Sequence, residues 1–253
     1  MQEIPLVDLR AQYESIREEI DAAVRQVIQS GTFILGPEVG ALEAAIADYT
    51  GTAHAVGVAS GTDALILALR ALDVGPGDEV ILPAFTFFAT ATAVLHAGAK
   101  PVLADVDPQT YCLDPQDTAA RITPRTRAII PVHLYGHPAD MDPLMRLAAA
   151  HDLGVVEDNA QAIGAAYDGR RTGSFGQAAA LSFFPTKNLG AYGDGGMVVT
   201  GDPALAEAVR MLRTHGWKRK YYPEMLGSNS RLDTLQAAIL GVCLLYTSDA
   251  ADE

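Results

Sequence analysis

Cysteine is nearly missing from this chain: only Cys112 and Cys243 occur in 253 residues, far apart and outside any CxxC pair. Neither a disulfide framework nor a zinc knuckle is supported, and both thiols read as bland. Positive charge is scarce as well, with 18 Lys and Arg against 31 Asp and Glu, a net charge of -13. That balance opposes nucleic-acid backbones and anionic membranes, so neither is expected as a partner. No unbroken apolar run is long enough to cross a bilayer. Met1 to Arg10 lacks the basic start and apolar core of a signal segment, and the expected location is cytoplasmic. Familiar catalytic signatures are missing too: there is no GxxxxGK[ST], no GxSxG, no HExxH and no GxGxxG opening a helix. His133 and His137 have suggestive spacing, but they flank Leu134-Tyr135-Gly136 and precede Pro138, which argues against a shared helical face. No metal site is expected.

What is present is enough apolar material, 49% of the residues, to fill one large core. Ile16, Ile20, Val24, Val27 and Ile28 recur at helical spacing, predicting a helix over 10–29 stopped by Gly31. A second helical pattern runs from Val39 to Tyr49 after Gly36-Pro37. Short apolar runs then alternate with helical segments: strands at 54–59, 79–82, 101–106, 127–132 and 154–157, and helices from Gly61, from Thr86 and over 143–150. Such alternation is how crossover units on a buried, mostly parallel sheet read. Two further strands, 178–184 and 196–200, lie close enough that one can run antiparallel, and helices over 203–213 and 231–242 follow. The expected fold class is α/β, with a mostly parallel mixed sheet. After Val242 the helical pattern lapses, so 243–253 is expected to be a non-native or disordered tail.

In so acidic a chain an anionic ligand must be held by local donors. Ser60-Gly61-Thr62-Asp63 opens a helix just after a strand, where free N–H groups and hydroxyls suit a phosphate; ordinary capping is the competing explanation. Glu157-Asp158-Asn159-Ala160-Gln161 puts carboxylates directly after an apolar strand, at the sheet edge where open α/β folds bind ligands. Such an acid can hold a protonated ring nitrogen, bind magnesium or cap a helix. Lys187 follows a strand and Pro185-Thr186, then meets a glycine-rich loop; burial or a nearby cation would make it a Schiff-base lysine, and otherwise it is a surface charge. Of Phe85, Phe87 and Phe88, one can stack on a flat ring or all can be core.

Seven segments in this order resemble the DegT/DnrJ/EryC1/StrS family of sugar aminotransferases: Gly36-Pro37-Glu38-Val39, Ser60 to Leu65, Pro83 to Thr90, Pro131 to Gly136, Glu157 to Gln161, Ser182 to Lys187, and Gly227 to Leu232. The resemblance implies a three-layer αβα large domain of the aspartate-aminotransferase type (type I), here 1–242, and pyridoxal 5'-phosphate as cofactor. It makes Lys187 the Schiff-base lysine and proton shuttle, pairs Asp158 with the pyridine nitrogen and gives Gln161 the ring hydroxyl. Gly61, Thr62 and Ser182 would hold the phosphate, and Phe87 would lie against the ring. Asn229 resembles the residue that reaches the phosphate from the neighbouring subunit, which implies a homodimer with shared sites.

The implied reaction moves an amino group, usually from glutamate in this family, to a keto sugar on a nucleotide diphosphate. Lys218 to Pro223 is reminiscent of members that aminate a 3-keto sugar. Members usually continue into a smaller C-terminal domain, so a fragment lacking it is expected. Other type I enzymes such as aldolases or lyases would share Lys187 and Asp158, although the motifs at Thr86 to Thr90 and Asn229 argue against them. A non-catalytic regulatory or binding protein, or an inactive fragment, stays open.

Overall fold

A computed structural model describes the backbone of residues 7–252 and the side chains of 7–246. Residues 1–6 of the expected large domain and Glu253 of the expected tail lie outside the described residues. The opening helix is two, α1 (Leu9–Ser15) and α2 (Arg17–Ser30), because Ile16 leaves helical geometry at φ -128° and packs with Ile20 into the core. Helix α3 (Pro37–Thr50) starts with proline in its first turn and ends on Gly51 at φ 70°, the left-handed stop that glycine adopts without a Cβ penalty.

The alternation then unfolds as β1 (His54–Val58), α4 (Gly61–Ala71), β2 (Glu79–Pro83), α5 (Ala89–His96), β3 (Lys100–Ala104), α6 (Pro115–Arg121), β4 (Thr126–Ile129), α7 (Met141–His151) and β5 (Gly154–Asp158). A small hairpin, β6 (Ala166–Tyr167) with β7 (Arg170–Arg171), precedes β8 (Ala178–Ser182) and β9 (Gly196–Thr200). Helix α8 (Pro203–Leu212), the hairpin β10 (Trp217–Arg219) with β11 (Tyr222–Pro223), and α9 (Thr234–Asp252) follow.

Among the departures from the sequence reading, three stand out. Helix α5 begins at Ala89 rather than Thr86, the first turn closing on the Phe87 and Phe88 carbonyls. Helix α6 was hidden by weak periodicity and is held by its cap, Asp114, which accepts from the Gln116 N–H at 2.8 Å. The last helix does not stop at Val242: it continues to Asp252, and Cys243 and Leu244 are buried against the layer built by α2 and α3.

Seven strands form one sheet in the order β1-β9-β8-β5-β4-β2-β3. β9 is antiparallel to both neighbours and the remaining pairs are parallel. Helices α4, α5 and α8 cover one face through residues such as Leu65, Leu69, Val94 and Val209. Helices α2, α3 and α9 cover part of the other, and α7 covers the rest. With both faces covered, β2 and β9 are buried at every position, which is why they read as continuous apolar runs. Among the described residues, no helix is long and apolar enough to cross a membrane.

Candidate active site

The carboxyl ends of β1, β5 and β8 open onto a cleft of about 340 Å³ whose lining includes Gly61, Thr62, Phe87, Asp158, Gln161 and Lys187. Ser182 lines it as well, so seven of the eight residues singled out in the sequence meet in one place. Their meeting has local causes. Ser60 ends the extended stretch after β1, and its hydroxyl accepts from the Asp63 N–H at 3.1 Å, so it is indeed a helix cap. That cap leaves the first N–H groups of α4, those of Gly61 and Thr62, without intrahelical partners. The Asp63 carboxylate accepts from the Ser230 hydroxyl at 2.7 Å.

Ser182 ends β8 directly beneath the same turn, and a Cβ on Gly61 would stand 2.6 Å from the Ser182 Cβ. The two segments touch because residue 61 has no side chain. Phe183 then holds the following loop at both ends, its N–H donating to Gly195 O and its carbonyl accepting from Ala191 N, each at 2.8 Å. Lys187 sits half-buried within this loop, and its amine has no hydrogen-bond or ion-pair partner among the described residues.

Asp158 is 6% exposed and ends β5. Its Oδ2 accepts from the Thr90 hydroxyl at 2.8 Å, and its Oδ1 from Ala160 N–H at 3.3 Å. Burial pushes its carboxyl pKa up, while the Thr90 and Ala160 hydrogen bonds and the charge of Lys187 pull against that rise. Gln161 is oriented by an unusual partner. Tyr135 has left-handed backbone at φ 54°, and its N–H donates to Gln161 Oε1 at 2.7 Å. The Gln161 amide nitrogen is thereby the end left to donate into the cleft.

Glu157, read with Asp158 as an acid of the sheet edge, turns the other way, as alternation along a strand requires. It is fully buried and accepts from the N–H groups of Gly173, Phe175 and Gly176 at 2.7, 2.7 and 2.8 Å. The ring of His133 completes that anchor. Its Nδ1 accepts from Ala139 N–H at 3.0 Å, so its proton is on Nε2, 2.9 Å from Glu157 Oε2. His137 is exposed, with Nδ1 2.8 Å from the Pro138 carbonyl oxygen. Phe87 is 70% exposed and lines the cleft, whereas Phe85 packs on Tyr111 with ring centroids 5.8 Å apart. Asn229 is the exception among the expected residues: it is exposed, outside the cleft, on a segment bridged antiparallel to Thr214. Thr90 and Tyr135, which sequence reasoning left without a role, are found only through hydrogen bonds spanning 68 and 26 residues.

A mostly parallel mixed sheet covered by helices on both faces, with this cleft at its carboxyl edge, is the large-domain fold of type I pyridoxal-phosphate transferases. The chain belongs to the DegT/DnrJ/EryC1/StrS aminotransferase family, whose model matches residues 14–250. It is 57% identical over 237 residues to a UDP-N-acetyl-3-dehydro-alpha-D-glucosamine 3-aminotransferase of Acidithiobacillus ferrooxidans, covering 94% of this chain and 64% of that one. It is 55% identical over 239 residues to a pleiotropic regulatory protein of Geobacillus stearothermophilus, with the same coverages. Both relatives are thus matched over slightly less than two thirds of their length. The crystal structure of S. venezuelae DesV in complex with a ketimine intermediate superposes with a TM-score of 0.96 at 54% identity, over 98% of this chain and 67% of that one.

Proposed function

We propose that this chain is the cofactor-binding part of a pyridoxal-phosphate-dependent aminotransferase that transfers an amino group from glutamate to a keto sugar carried on a nucleoside diphosphate. The observation that carries the reading is the unpaired amine of Lys187 in the same cleft as the buried Asp158. Pyridoxal phosphate, when bound, supplies an aldehyde that takes up amines and a ring that draws electrons from the substrate carbon. The chain's own groups fit it. The N–H groups of Gly61 and Thr62 and the Ser182 hydroxyl are donors for a phosphate dianion at a helix N-terminus. Asp158 offers a carboxylate to a protonated ring nitrogen, the Gln161 amide nitrogen offers a donor to the ring hydroxyl, and Phe87 offers a ring face. Lys187 would hold the group through its amine and would move the proton at the substrate carbon.

The 57% identical relative, a 3-aminotransferase of a 3-dehydro sugar on UDP, favours a sugar oxidised at carbon 3 as acceptor. Asn229 stands exposed outside its own chain's cleft, and we assign it to the phosphate of a second copy, giving a homodimer with shared sites. Sedimentation as a monomer with cofactor bound would remove that assignment.

The test is spectroscopic. With added pyridoxal phosphate the purified protein is expected to be yellow, to change its visible band on addition of glutamate, and after borohydride to carry a cofactor-sized mass on the Lys187 peptide. A folded, colourless protein without adduct would sink the proposal. A bound cofactor that glutamate leaves unchanged would favour a non-catalytic binding protein.

A further inference from the structure

We infer that Thr90 is a positioning residue: its hydroxyl, fed by Thr86, fixes the Asp158 carboxylate so that Oδ1 is the oxygen left to meet the cofactor's ring nitrogen. The inference rests on the reading of the cleft as a pyridoxal-phosphate site. Thr90 is fully buried in the first turn of α5, and its Oγ1 donates to Asp158 Oδ2 at 2.8 Å. A hydroxyl carries one proton, so Thr90 has none left for the Thr86 Oγ1, 3.0 Å away. Thr86 is therefore the donor of that pair. The two hydroxyls form a chain of one polarity, running from the cleft lining at Thr86 to the buried carboxylate.

This polarity matters because an ionised carboxylate only accepts hydrogen bonds. The chain as arranged favours an ionised Asp158, against the penalty that burial places on its charge. Oδ2 already holds one short, well-placed donor. Oδ1 has the Ala160 N–H alone, at 3.3 Å, long for an N–H···O bond. A cationic N–H arriving from the cleft finds one oxygen held and one undersupplied.

Any buried hydroxyl needs a partner, so a packing role must be separated from a positioning one. The probe is a pair of ligands: pyridoxal phosphate, and its carbocyclic analogue in which C–H replaces the ring nitrogen. Dissociation constants are measured for the wild type, Thr90→Val, Thr90→Ser and Thr86→Val. Thr90→Val is expected to weaken pyridoxal phosphate by about tenfold or more, the effect of losing a hydrogen bond to a charged group, and to leave the analogue within about twofold. Thr90→Ser keeps the hydroxyl and is expected to restore most of the affinity. Thr86→Val breaks the chain at its outer end, so it is expected to act in the same direction more weakly, and it serves if Thr90→Val does not fold. Equal loss for both ligands, or no loss for either, overturns the inference. A wild type that binds both ligands alike removes the pairing of Asp158 with the ring nitrogen itself, and this inference with it.

Discussion

Asp158 and Lys187 line the same cleft under opposite constraints. The lysine amine has no hydrogen-bond or ion-pair partner among the described residues, and the carboxylate is buried with its pKa raised above the ordinary aspartate value of 3.8, chiefly by loss of water. The sign of that shift sets a prediction. A carboxyl with a raised folded-state pKa costs stability as pH climbs through its unfolded value, and the cost is complete above its folded value. Asp158→Asn removes the cost, so at neutral pH the cofactor-free variant is expected to melt higher than the wild type. The same variant is expected to lose pyridoxal phosphate affinity by about a hundredfold or more, since a buried ion pair loses a partner. Calorimetry and cofactor titration on one preparation check both, and a variant that melts lower while binding normally would contradict this account of the site. The types and positions of Lys187, Asp158 and Gln161 were legible because each follows a strand in a recognisable run. The orientation of Gln161 was not, because the Tyr135 N–H that fixes its amide belongs to another segment.

At the scale of elements, the proposed phosphate cradle depends on how closely the α4 turn approaches β8 and β9. A Cβ at residue 61 would meet Ser182, and one at residue 196 would run into the Ser60 backbone. Gly61→Ala is therefore expected to push α4 from Ser182 and to weaken pyridoxal phosphate about tenfold or more, since overpacking a close contact typically costs about 1–3 kcal/mol. Gly40 in α3 makes the contrast: a Cβ there meets nothing within 4 Å. Gly40→Ala is expected to stabilise the chain by about 0.5–1 kcal/mol in denaturant unfolding and to leave cofactor binding alone. If the two alanines behave alike, steric closure of the cradle is the wrong explanation. Helices with strong periodicity or a good cap, such as α3 and α4, were readable within a residue or two. The hairpins β6–β7 and β10–β11 were not, because strands of two or three residues show no period.

Across the whole molecule, the edge of the sheet opposite the cleft is tied by Glu79, at the start of β2. Its side chain accepts from the Thr123 hydroxyl at 2.6 Å, from Arg125 at 2.9 Å and from Lys100 at 3.1 Å, joining β2 to the approaches of β3 and β4. These partners, Thr123 first, lower its pKa from 4.5 to about 2. The stability they contribute is present in full above pH 4.5 and is lost as pH falls towards 2. Glu79→Gln is expected to be less stable than the wild type at neutral pH, with the difference closing over that window in denaturant series at several pH values. A difference that stays constant with pH would count against the ionised carboxylate as its source.

The sequence by itself determined the α/β class, most of the helices and strands, and the residue types gathered at the ligand edge, because periodicity, capping and turn chemistry act over a few residues. Only the tertiary structure decided that β9 runs antiparallel between β1 and β8, and that Glu157 turns from the cleft to anchor 173–176. It also decided that Thr90 donates to one oxygen of Asp158 and that the last helix runs on past Val242. Those features depend on register, on which face a strand presents and on contacts between residues far apart in the chain, and no local pattern encodes them.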